Sequence, residues 1–404
     1  MTLLELIKNA SANSKSLELP SDYPVVLNPD PIFPNLKSEL QDESSSFPVK
    51  PLIGWEISLI DTQIIEINKK FLTKLKTKGK STDHLERGEF IGSLISYLEN
   101  IRDKVGFPIE IDSLGGIGYC KVLIFKLGSF MGKDVAGLVL DGCVSLWLWE
   151  IVEALIVSGV IVNSCYPSLI TRLVENKRSD LICLCCIHAS DLGSSEIFTI
   201  LRYFLSPANE AYNTMVSVKK EWENQAVLAM ERASDSNLKL KNSVVAKEAS
   251  ILFMIAYDGF STPELCLHYL IASSNLNNAM LSPALNKLNG KELLNLIRYL
   301  AKWLKKYERF PQAGPCPQAS SALGLKACDW IPKLEDVVNC LGLVLDENFS
   351  SLVLHPQFHE ELRSVEGLVK CLTGESKLCC MMTSVVDKLK IEVTGGRSKC
   401  VLNG

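Results

Sequence analysis

The sequence has no strong charge of either sign. Its 42 Lys and Arg against 46 Asp and Glu leave a net charge of −4. That balance excludes a strongly basic nucleic-acid coat, although local basic faces remain open. Between positions 121 and 394 the chain has almost no period-two alternation of apolar and polar residues. Half-buried antiparallel sheet is therefore not expected there. No G-x-G-x-x-G register occurs, no GK[ST] follows the glycines at 115–118, and there is no G-x-S-x-G elbow and no HExxH, so no nucleotide, acyl-transfer or zinc-protease signature is read there. Collagen-like, coiled-coil-rod and mucin compositions are excluded too.

The 404 residues are 47% hydrophobic and 22% charged, which is ample for a large buried core. The start Met1-Thr2-Leu3-Leu4-Glu5 has an acid in its first turn and no basic lead into an apolar run, so no signal peptide is expected. The most apolar stretch, 135–166, is interrupted by Asp141, Glu150 and Glu153 and closed by Pro167. It reads as core helices rather than a membrane span. Fourteen cysteines are scattered, often within helical patterns such as Cys183, Cys185 and Cys186. They suit a reducing compartment, where thiols serve as small buried hydrophobes.

Positive evidence comes from periodicity. Residues 1–50 are broken by Pro20, Pro24, Pro29, Pro31, Pro34, Pro48 and the run Ser44-Ser45-Ser46, and read as a flexible Pro/Ser-rich, disordered segment. In 51–110, Ile57, Ile60, Ile64, Ile67, Phe71 and Leu75 line one amphipathic helix that Gly79 ends. Leu85, Ile91, Leu94, Leu98, Ile101 and Val105 line a second, with Asp83 as its N-cap. The glycine-bearing stretch 109–118 reads as an irregular connector, with Gly115-Gly116-Ile117-Gly118 as a turn. Helices are expected near 136–158, 167–176, 179–189, 194–204, 207–233, 243–257, 263–273, 276–287, 290–309, 333–345, 349–354 and 357–372. Pro167, Pro207, Pro263 and Pro283 suit first helical positions, and Glu264 complements a helix N-terminus. The expected fold is all-α, an irregular helical array or solenoid-like stack. The main array occupies 111–310, a Pro-rich linker loop 311–322, a C-terminal helical group 323–393 and a flexible tail 394–404.

Three constellations invite chemistry. Cys183-x-x-Cys186 beside His188 is half of a zinc site, but no second spaced pair completes it; Cys379 and Cys380 are adjacent. His355 and His359 stand four apart, yet Pro356 places the first at a helix start. Two basic runs remain: Lys69, Lys70, Lys74, Lys76, Lys78 and Lys80 at a helix C-terminus, and Lys302, Lys305, Lys306 and Arg309 on the outer face of the 290–309 helix. The second group is the candidate contact for RNA phosphates, with a solvated face as the alternative. No catalytic residue, metal or cofactor is expected.

The stretch Cys328-Asp329-Trp330-Ile331-Pro332-Lys333-Leu334, followed by Leu343-Val344-Leu345-Asp346-Glu347-Asn348-Phe349-Ser350-Ser351-Leu352-Val353-Leu354, resembles the C-terminal end of the nucleolar protein 11 family. Arg178-Ser179-Asp180-Leu181 and Lys302-Trp303-Leu304-Lys305-Lys306-Tyr307 are similar to its plant-type members, and the resemblance extends over about 120–390. It implies a nucleolar, non-enzymatic assembly factor in the early subcomplex of the small-subunit processome, linking ribosomal DNA transcription with pre-18S rRNA processing. It implies WD-repeat partners, including the cirhin-type subunit, with pre-rRNA as a further contact and neither membrane nor small-molecule ligand. Family members carry an N-terminal β-rich, propeller-like region, so this chain is expected to be a shortened form. A helical stack serves a cytoplasmic vesicle-tethering scaffold or a direct RNA-binding protein equally well, because fold alone does not decide function.

Overall fold

The computed structural model describes residues 59–78, 86–106, 116–234, 240–311 and 316–400. The Pro/Ser-rich segment 1–50, Asp83 and Gly79 lie outside them. Among the described residues the chain is all-α, with 17 helices and no strand.

Helices α1 (Leu59–Lys78) and α2 (Arg87–Val105) pack side by side, and α2 also packs on α3 (Gly116–Leu127). α2 starts after an extended Glu86 and ends at Gly106, whose left-handed backbone (φ 76°) returns its N–H to the Arg102 carbonyl. That geometry is the usual use of glycine at a helix end. α3 corrects the expected connector: Gly116, Ile117 and Gly118 are its first turn. The apolar run from Cys120 to Leu127 has enough core to bury to extend a helix back through glycines that disfavour it.

The single helix expected at 136–158 is two, α4 (Lys133–Ser145) and α5 (Trp149–Val157). The Trp147 N–H bonds the Val144 carbonyl at 3.3 Å and the Leu148 N–H bonds the Cys143 carbonyl at 2.8 Å. This is a Schellman turn, with Trp147 in the left-handed position at φ 59°. Apolar residues run through the break on both sides, so periodicity does not mark it.

Next come α6 (Tyr166–Glu175), α7 (Ser179–His188), α8 (Ser194–Leu205), α9 (Tyr212–Ser234) and α10 (Leu240–Tyr257). Pro167 sits in the first turn of α6. Pro207 precedes the short 3-10 turn Asn209–Ala211 instead of opening a helix. α9 and α10 form a long antiparallel hairpin, whose inner face meets α7 and α11 (Thr262–Ile271).

α11 is buried along its length. Pro263, Leu265, Cys266, Leu267, His268, Tyr269, Leu270 and Ile271 are all buried, as befits a helix packed on every side. Its start is a capping box between Ser261 and Glu264. α12 (Asn278–Leu285) is capped by Asn277 and contains Pro283 in its interior, not at its start.

α13 (Gly290–Arg309) has the bounds expected from its pattern. Asn289 and Glu292 exchange capping hydrogen bonds of 2.9 and 3.0 Å. Leu293, Leu296, Ile297, Leu300, Trp303, Leu304 and Tyr307 are buried on one face.

The expected Pro-rich linker holds a helix, α14 (Pro317–Leu323), that packs on α10. α15 (Leu334–Glu347) lies against α12 and α13, and α16 (Phe349–Leu354) follows it. α17 (His359–Cys400) packs on α13 and runs past the expected end at 372 into the expected tail. The group 323–393 does not stand apart. Its buried residues Val337, Cys340, Val344 and Phe358 belong to one core continuous with Phe90 and Leu94 of α2.

Side-chain amides tie distant turns together. Asn275 Nδ2 donates to the Ala189 carbonyl beyond α7 at 2.8 Å, and Asn295 Nδ2 donates to the Leu205 carbonyl at the end of α8 at 2.9 Å. Each satisfies a helix-terminal acceptor from a partner 86 or 90 residues further along.

Candidate functional site

The four cations expected as phosphate contacts divide into two stripes along α13. On one, Lys302 Nζ reaches both oxygens of Glu264 at 2.8 Å and lies 5.8 Å from the centre of the Phe260 ring. Lys306 Nζ pairs with Asp258 at 3.3 Å. Arg298, one turn earlier, donates to Glu361 of α17 at 2.7 Å. These three cations, spaced by four, each meet an acid on a neighbouring segment. Glu264 is also the carboxylate that caps α11, accepting from the Ser261 N–H at 2.6 Å. Lys302 thus neutralises a structural carboxylate.

Lys305 and Arg309 form the other stripe. Both are exposed, and neither has an ion pair among the described residues. The sequence did not separate the stripes because the partner acids lie 38 to 63 positions away.

The lysines of α1 face solvent at Lys69, Lys70, Lys74 and Lys76; Lys80 lies outside the described residues. Lys70 and Lys74 border a groove of about 320 Å³ between α1 and α2, whose polar wall is Ser93, Ser96 and Asn100.

Cys183, Cys185 and Cys186 are buried on α7 among core residues, with Cys266 of α11 beside Cys183. Burial pushes the Cys186 thiol up to about 12, as it does Cys120 on α3. His188 is half-buried and its pKa is lowered by that burial. Among the described residues no three His, Cys, Asp or Glu side chains are grouped to hold a metal ion.

These environments give a labelling order. In the native protein Cys371, Cys379 and Cys380, which are exposed, should react first with a maleimide. The eight buried cysteines should react only on unfolding. Peptide mapping by mass spectrometry checks this; early labelling of Cys183 or Cys266 would contradict the packing of α7 on α11.

His355 and His359 both cap α16. His355 Nδ1–H donates to the Ser351 carbonyl at 2.8 Å and His359 Nε2–H to the Val353 carbonyl at 2.9 Å. Phe349, Val353 and Leu354 of α16 are exposed, as are Val227 and Met230 of α9 and Ile251 and Met254 of α10.

Two features escaped sequence reasoning. One is the buried aromatic cluster around His268, built from Trp222, Phe260, Tyr299 and Trp303. Nothing local in Leu267-His268-Tyr269 distinguishes it. The other is a cavity of about 370 Å³ among α5, α7, α9 and α11, walled by Trp149, Leu181, Val218 and Tyr269. Glu150, Glu153, Asp180, Glu221 and Arg178 also line it. Of its lining residues only Trp149 is a tryptophan, and nothing in the local sequence marks a cavity beside it. Among the described residues no helix is long and apolar enough to cross a membrane. Compared with known proteins, the chain matches no family model and no curated sequence.

Proposed function

We propose that the chain is a non-enzymatic helical scaffold of the nucleolus, a subunit of the early subcomplex of the small-subunit processome. In this reading it acts in pre-18S rRNA processing and the coupled transcription of ribosomal DNA. Its partners are WD-repeat subunits of the cirhin type. The observation that carries the reading is the likeness of 328–354 to the C-terminal end of the nucleolar protein 11 family. Two physical features support it. An all-α array offers long helix faces without needing a catalytic cleft. Within the resembling stretch, Phe349, Val353 and Leu354 are exposed on α16, where a partner would cover them.

The test is affinity purification of the tagged full chain with and without ribonuclease, alongside imaging of its location. Co-purification of WD-repeat processome subunits that survives ribonuclease, with nucleolar localisation, is the expected result. Recovery of vesicle-tethering subunits without nucleolar proteins would overturn it.

Direct RNA contact is a second reading, favoured by the exposure of Lys305 and Arg309. Reversing both (Lys305→Glu with Arg309→Glu) should weaken binding to structured RNA. The slope of log affinity against log salt should shallow by about 1.5, from two lost phosphate contacts. Thermal stability should hold, since neither side chain is in an ion pair among the described residues. An unchanged salt slope would remove this reading.

A further inference from the structure

Among the described residues, two non-glycine residues have left-handed backbone: Trp147 (φ 59°) and Lys177 (φ 56°). Both follow the C-cap of a helix. Lys177 closes the same kind of turn as Trp147: its N–H meets the Val174 carbonyl at 3.1 Å, and the Arg178 N–H meets the Leu173 carbonyl at 2.9 Å. A β-carbon is disfavoured in this conformation, and glycine is the residue that folds best there. The fold uses glycine at the matching place after α5, where Gly159 has φ 67°.

The two turns are neighbours. Arg178 stacks its guanidinium 5.1 Å over the Trp149 ring. Lys177 has a partner within the fold, since its ammonium pairs with Glu210. Trp147 is 63% exposed, and its ring meets Trp149 edge-on at 6.1 Å. A large aromatic at a glycine position, held mostly in water, is a poor choice for stability alone. Strained residues of this kind gather at binding sites.

Trp149 is also a wall of the 370 Å³ cavity. Four carboxylates face one guanidinium there. Arg178 is taken up by Asp180, with bonds of 2.9 and 2.6 Å, and Glu153 is matched by Lys121 at 3.0 Å. Glu221 receives a hydrogen bond from Gln225 at 3.1 Å but no cation among the described residues. Glu150 has no ion pair among them. Glu150 and Glu221 are exposed, so the opening of the cavity is anionic, with Tyr269 and the part of Trp149 that Arg178 leaves uncovered presenting aromatic surface. A cation on a long apolar stem suits such walls. Phosphate groups would be repelled, which disfavours RNA.

We infer that this cavity receives an arginine or lysine side chain from a basic segment of a partner protein, with Trp147, against the lining residue Trp149, as the apolar anchor for the residues beside it. A free polyamine offers the same charge but leaves Trp147 uncovered, so Trp147 selects a peptide. Tryptophan beside a pocket that a partner would close is a common composition of an interface hot spot. The inference deepens the scaffold reading by naming the chemistry of one partner segment, and rests on it only in requiring a protein partner.

The test is selection of displayed random nonapeptides on the full chain, followed by titration of the selected peptides against wild type, Trp147→Gly and Glu150→Lys. The expected peptides share an Arg or Lys flanked by apolar residues. Trp147→Gly should weaken them about thirtyfold while the melting temperature holds or rises, because glycine suits the left-handed turn. Glu150→Lys should abolish binding. The inference is overturned by selection that yields no binders, by peptides with no common cation, or by affinities unmoved in both variants. A lower melting temperature in Trp147→Gly would make Trp147 a folding residue and overturn it too. Displacement of the peptides by spermine at equal concentration would reassign the cavity to polyamines and overturn it. A chain that binds these peptides yet never enters nucleoli keeps this inference and loses the assembly reading.

Discussion

Lowering the pH from 6.5 to 4.5 is expected to remove about 2 kcal/mol of stability through His268 alone. The ring is fully buried. Its Nε2–H donates to the Ala256 carbonyl at 3.0 Å, and its Nδ1 accepts from the Tyr299 hydroxyl at 2.9 Å. Tyr299 keeps its proton, since burial raises its pKa well above the ordinary value. Loss of hydration lowers the His268 pKa to about 3, against a weaker opposing effect of the Ala256 carbonyl. The unfolded chain titrates near 6.5. Above that value neither state is protonated and the contribution is complete. Between about 6.5 and about 3 the unfolded state takes up a proton that the folded state refuses, so stability falls as the pH drops. Urea titrations at several pH values should show this slope in wild type and a shallower one in His268→Gln. At pH 7 that variant should be about 1–3 kcal/mol less stable from imperfect replacement of two buried hydrogen bonds. Equal slopes in both proteins would refute the assignment.

Truncating Trp222 should destabilise the fold more than replacing His268 does at neutral pH. Trp222 is fully buried on α9 and meets Phe253 of α10 and His268 and Tyr269 of α11 edge-on, at centroid distances of 5.5 to 5.9 Å. Trp222→Ala is expected to lower stability by about 3–5 kcal/mol, as cavity formation adds to lost burial. Trp222→Phe should lose much less, about 1–2 kcal/mol, because the ring still fills the junction. The indole N–H makes no hydrogen bond of normal length and angle, although Tyr269 is close enough to sense it. Its removal therefore leaves little unsatisfied. A loss under 1 kcal/mol for Trp222→Ala in denaturant unfolding would show that the α9–α10 hairpin docks on α11 by other means.

The two predictions fall in a region that the sequence describes unevenly. α13 was legible to both ends because its apolar face recurs strictly and its charges lie opposite. α11 was legible from Pro263 and Glu264. Its burial on all sides was not, since that depends on which helices surround it. The α4–α5 break was hidden because the usual glycine is a tryptophan and apolar residues continue through it. The start of α3 and all of α14 were hidden by glycines and prolines, whose local preference is overridden by packing. The apolar pattern gave α17 an end at 372. The helix continues, helped by pairs such as Lys370 and Glu366 at 2.6 Å on its exposed surface. The stripe at Lys302, Lys305, Lys306 and Arg309 was placed on the outer side of α13. Which members are engaged was settled by Asp258 and Glu264, and no local pattern links those acids to α13.

The amides of Asn275 and Asn295 also bear on how the chain is made. They close the ends of α7 and α8 only after a further 86 and 90 residues have been added. At a synthesis rate of about 5–20 residues per second, those helix ends wait about 4–18 s outside the ribosome. During that interval α7 and α8 lack α11 and α13, and Leu181, Ile182, Ile200 and Leu201 have yet to meet the rest of the continuous core. A nascent chain stalled near residue 260 should therefore hold chaperones on this segment, and release should coincide with emergence of α13.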